Sequence, residues 1–105
     1  MLSKPYILRI VKRSLRSLPV KVEYAIIFGS TACGERLRDS NIDLIVVSED
    51  FDGMPFEKRI MLLQKSWKHK VPLEAFAFTP NEIELLGRRS IVVQEALERG
   101  IKITL

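Results

Sequence analysis

The run Leu44-Ile45-Val46-Val47 is the tightest constraint the sequence sets on its own fold. Side chains alternate between the two faces of a strand, so four successive apolar residues must be buried on both, as at the centre of a sheet. Two further segments share the β-branched and aromatic character of strands. These are Val22–Phe28 (VEYAIIF) and Pro72–Phe78 (PLEAFAF). Between and around them the periodicity changes to that of helices. Ser3 is a cap, with Pro5 in the first turn, for a helix carrying Ile7, Leu8, Val11, Leu15 and Leu18 and ended by Pro19. Residues 30–37 read as a short helix or turn, and Pro55–His69 as a helix with Phe56, Ile60, Leu63 and Trp67 on its apolar stripe. Thr79-Pro80-Asn81-Glu82 is a capping-box pattern opening a helix that Gly87 can end. Ser90 caps another, with Gly100 at its C′ position, and Ile101–Leu105 is a last short strand or a tail. Helices alternating with three strands specify a small α/β or α+β domain.

At 105 residues the chain reads as one domain, residues 1–105, with a modest core that leaves room for self-association or a partner. One cysteine, Cys33, excludes an internal disulfide and a cysteine-built zinc cage; one histidine, His69, excludes a histidine-based metal site. No apolar run approaches the roughly 18 residues of a membrane span. Arg9, Lys12, Arg13 and Arg16 interrupt any signal-peptide core, so a cytoplasmic protein is expected. Seventeen basic against thirteen acidic residues give +4, and residues 1–22 hold six of the basic ones and no acid. The first helix carries the positive charge. With no aromatic interleaving beyond Tyr6, a solvated face is the preferred reading and a nucleic-acid surface the alternative.

Three local signals bear on chemistry. Phe28-Gly29-Ser30-Thr31-Ala32-Cys33-Gly34 joins a strand to a helix, where free backbone N–H groups and the positive helix end favour an anion. It is not a P-loop, because Glu35-Arg36 stands where that motif needs Lys and Ser/Thr. An ordinary tight turn is the bland alternative. Asp39-Ser40-Asn41-Ile42-Asp43 leads into the second strand, where Asn41 and Asp43 share a face and Asp39 joins them if the strand starts early. Oxygen ligands at that spacing suit Mg²⁺, while a polar loop is the alternative. Glu74 interrupts an apolar strand, either because a partner awaits it or because that strand lies at the sheet edge with Glu74 in water.

Taken together, Phe28-Gly29-Ser30, Asn41-Ile42-Asp43-Leu44 and Glu74 resemble the DNA polymerase β-like nucleotidyltransferase superfamily, in particular its minimal nucleotidyltransferase group. The resemblance covers about residues 20–80. It implies a mixed central sheet of three to four strands packed against helices. It also implies that Gly29 and Ser30 contact nucleotide phosphates, that Asn41, Asp43 and Glu74 bind metal, and that Asp43 and Glu74 are catalytic. The implied reaction is transfer of a nucleoside monophosphate from a nucleoside triphosphate, ATP in the first instance, to an acceptor hydroxyl with Mg²⁺ or Mn²⁺. Asn41 replaces the family's first metal-binding Asp and lowers the ionised set to two carboxylates, unless Asp39 substitutes. Cys33 stands near a point where many relatives carry Arg. The alternatives are a catalytically weakened antitoxin-like partner of a helical HEPN-domain protein, and a nucleic-acid module built on the basic helix.

Overall fold

The computed structural model describes residues 4–29 and 41–105. The segment 30–37, Ser30, Cys33 and Asp39 fall outside these residues.

The first helix, α1 (Lys4–Arg16), buries Ile7, Ile10, Val11 and Leu15 and turns its arginines outward. Strand β1 (Tyr24–Phe28) follows, then β2 (Ile42–Val47), whose four-residue apolar run is buried throughout. A 3-10 turn (Glu49–Phe51) is capped by Ser48, and its Phe51 is fully buried. Next come α2 (Phe56–Ser66), β3 (Leu73–Phe78), α3 (Pro80–Arg89), α4 (Ile91–Arg99) and β4 (Ile101–Ile103). The sheet order is β3-β2-β1-β4. The β2/β3 pair is parallel and the β1/β2 and β1/β4 pairs are antiparallel, so the sheet is mixed.

Alternation divides the core between the two sheet faces. Ala25, Ile27, Ile42, Leu44, Val46, Leu73, Ala75 and Ala77 pack with α1, Leu63 of α2 and Phe51. Ile26, Ile45 and Val47 face the other way, against Ile83 of α3 and Val93 and Ala96 of α4. The central position of Leu44–Val47 follows from this double cover.

Several expectations from sequence are corrected. Helix α3 passes through Gly87 and ends at Arg89; a Cβ at Gly87 would stand 3.1 Å from Leu97 Cδ1, the movable end of an exposed side chain of α4. Gly100 caps α4 with φ −73°, so it is not a left-handed C′ residue. Its lack of a side chain admits Ile26 and the Ala96 and Ile27 carbonyls, which a Cβ would strike. Helix α2 stops at Ser66, and Phe56 and Ile60 of its supposed apolar stripe are exposed. Leu63 of that stripe is buried, and the other buried side chain of α2 is Arg59, 3% exposed.

Candidate active site

Strand register brings the sequence signals together. Phe28 pairs with Asp43 across β1/β2, and Asp43 pairs with Glu74 across β2/β3. Both acids are second in their strands and project from the sheet face that α3 and α4 partly cover. Asp43 is half-buried and Glu74 exposed, so the edge-strand reading of Glu74 holds at the same time as its pairing with another acid.

Gly29 ends β1 with φ +73°, a conformation that side-chain-bearing residues rarely adopt. A Cβ at this position would overlap the Asp43 carboxylate. The glycine therefore has two reasons to be glycine, the turn and the close approach of an acid.

The electrostatics follow from the crowding. Burial first, then a hydrogen bond to Glu74 and the charge of that residue, together push the Asp43 carboxyl up to about 6. Two neighbouring carboxyls repel when both are charged, which favours the protonated form of Asp43 in the absence of a counter-charge. Asn41 lies immediately before β2, two residues from Asp43. Among the described residues no group of three or more His, Cys, Asp or Glu is placed to hold a metal ion. The donor set is therefore two carboxylates with one amide nearby, all oxygen ligands. Hard divalent cations such as Mg²⁺ prefer this chemistry and commonly bind through one or two carboxylates plus phosphate oxygens and water.

A cavity of about 250 Å³ opens beside Gly29, lined by Phe28, Val92, Glu95 and Arg99 among others. The sequence pattern did not single out Glu95 or Arg99, because their place beside Gly29 depends on how α4 packs on the sheet. The Arg59 cluster was missed as well. Its guanidinium donates to Glu82 Oε1 at 2.6 Å, to the Met54 carbonyl at 2.8 Å and to the Ala77 carbonyl at 3.1 Å. The available signal was an arginine four residues before Leu63, on the buried side of an amphipathic helix.

Residues 8–100 match the sequence model of the nucleotidyltransferase domain family. The chain belongs to that family. Its fold is similar to that of a crystal structure of a candidate nucleotidyltransferase from Sulfolobus solfataricus, with a TM-score of 0.58 and 23% sequence identity over 78% of this chain and 71% of that one. At that identity the likeness establishes the fold. No curated relative matches the chain. The family match makes this a nucleotidyltransferase domain, and among the described residues Gly29, Asp43 and Glu74 are drawn into one locus.

Proposed function

We propose that the protein is a minimal nucleotidyltransferase that moves a nucleoside monophosphate from ATP or another nucleoside triphosphate to an acceptor hydroxyl. The observation that carries this reading is the packing of the Asp43 carboxylate against Gly29, with Glu74 alongside. An acid pair is thereby held at the end of the strand that leads into Gly29-Ser30.

The chain's own residues divide the work. Gly29 leaves its backbone open for phosphate to approach, and Ser30 adds a hydroxyl donor. Asp43 and Glu74, with the Asn41 amide oxygen, would hold Mg²⁺ or Mn²⁺. When bound, the cation supplies charge neutralisation for the triphosphate and acidifies an acceptor hydroxyl. Glu74 is the more exposed carboxylate, and this supports its role as acceptor of the hydroxyl's proton. Asn41 contributes no charge, so divalent-ion affinity falls below that of a three-acid site.

Transfer of radiolabel from α-labelled ATP to a protein, nucleotide or small-molecule acceptor, with pyrophosphate release, tests this. The wild type should act only with Mg²⁺ or Mn²⁺, and Asn41→Asp should act at lower metal concentration. Transfer that persists in Asp43→Asn would refute the assignment.

A second reading, that the domain acts chiefly as the partner of a helical HEPN-domain protein, is favoured by one observation. Ile91 and Val92 of α4 are 76% and 59% exposed, and Val92 borders the cavity beside Gly29. Apolar surface of that kind is usual where proteins dock. On this reading Ile91→Glu abolishes complex formation in sedimentation experiments, whereas Asp43→Asn leaves it intact.

A further inference from the structure

Positive charge gathers on one side of the sheet, although the 3-10 turn with Glu49 and Asp50 packs on that face too and α2 carries Glu57 in its first turn. Residues 1–22 and 58–73 together hold eleven of the seventeen basic residues and none of the thirteen acidic ones; the rest of the chain carries −7. These two segments include α1 and most of α2, which pack against the same sheet face, opposite Asp43 and Glu74. Ser14 Oγ lies 3.0 Å from Ser66 Oγ and so joins the two helices.

The cations of this layer are not consumed internally. Arg59 is buried against Glu82, but Arg9, Arg13, Arg16, Lys65 and Lys68 are exposed and form no salt bridge among the described residues. Arg9, Arg13 and Arg16 recur at the spacing of one helix face and extend about 10 Å along it. Beside them a groove of about 270 Å³ is lined by Ser17, Lys65, Ser66 and Lys68, with hydroxyls and ammonium groups together.

We infer that this α1/α2 layer docks a nucleic-acid duplex through its phosphates, on the side of the domain away from the proposed transfer site. A duplex offers one charge per about 1.7 Å of axis, so every arginine of the strip has phosphate within reach along its length of about 10 Å. A single strand fits less well, since Tyr6 on α1 and Phe56 on α2 are the only exposed large aromatics of these two helices and single-strand sites add a series of stacking platforms. On α1 the apolar residues are committed to the core and leave no wedge for lipid, whereas α2 exposes Phe56, Ile60 and Met61, so preferential binding to anionic lipid vesicles would overturn the inference. Contacts confined to phosphates make the binding independent of base sequence.

The test is fluorescence anisotropy with a labelled DNA duplex of about 20 base pairs, titrated at several salt concentrations. The expected affinity falls steeply with salt, with a log–log slope of about −4 for four to five phosphates. Replacing Arg9, Arg13 and Arg16 together by Ser should weaken binding more than tenfold and flatten that slope by about 3. Arg89→Ser on the opposite layer and Asp43→Asn should leave binding unchanged. No binding at 50 mM salt would overturn the inference. So would tighter binding of the matching single strand, equal competition by polyglutamate, or a triple Ser variant that binds like the wild type.

Discussion

Gly29 and Asp43 constrain each other. The glycine's positive φ and the carboxylate lying where its Cβ would be mean that Gly29→Ala meets strain and a clash at once. We expect that variant to lose about 2 kcal/mol of stability in denaturant titration and most of its nucleotide affinity. Asp43 also sets a pH dependence. Its folded-state pKa, about 6, lies above the value near 3.9 of an unfolded chain. The stabilisation is therefore complete below about pH 4 and disappears as pH rises through 6. Because the pair is partly open to water, screening reduces the effect to about 1 kcal/mol, or a few degrees of melting temperature. Without divalent ions, Asp43→Asn should melt higher than wild type at pH 8 and show no loss between pH 4 and 7. The placement of both residues at strand ends was legible in the sequence because a strand end, a glycine and alternating acids are local patterns. The contact of Asp43 with Glu74 was not, since it depends on the β2/β3 register.

Helices and strands meet most tightly around Arg59. In the parallel β2/β3 pair, Pro72 and Phe78 direct their carbonyls to β2, so Leu73, Ala75 and Ala77 direct theirs to the free edge. Gln64 of α2 donates to the Leu73 carbonyl at 2.7 Å and Arg59 to that of Ala77, which blunts an edge otherwise open to pairing with another chain. Glu82 accepts from Arg59 while completing the capping box of α3, and Arg59 holds its carboxyl below the usual carboxylate range. That contribution to stability is present at neutral pH and is lost as pH falls through the depressed pKa. Removing the acid leaves a buried guanidinium, so Glu82→Ala should cost about 3 kcal/mol. Arg59→Ala should cost less through charge, because the carboxylate it strands is 34% exposed. Calorimetric melting of both single variants and the double one separates the coupling from the cap. At Gly87 the backbone is ordinary helix and the crowding atom is the end of the exposed Leu97 side chain, so Gly87→Ala should stabilise by about 0.5–1 kcal/mol. Gly100→Ala, which strikes backbone carbonyls, should destabilise. Caps such as Thr79 and Ser90 could be read from sequence, whereas the Gly87 and Gly100 packing roles depend on which elements lie alongside.

Across the whole molecule, the basic helical layer and the acidic locus lie on opposite sides of one mixed sheet. The order of elements and both-sided burial of β2 were legible because hydrophobic periodicity is set locally. The antiparallel return of β4 beside β1 was open between strand and tail, since three residues carry too short a pattern to decide it. The charge separation was half legible: α1 declared itself, but the lysines of α2 join it only through the packing of the two helices. The central claim is that Asp43 and Glu74 form a metal-dependent nucleotide site, and calorimetric titration of ATP in the presence and absence of Mg²⁺ tests it most directly. The account predicts Mg²⁺-dependent binding by the wild type, tighter binding by Asn41→Asp and none by Asp43→Asn. Binding of equal strength without Mg²⁺, or binding retained in Asp43→Asn, would contradict it.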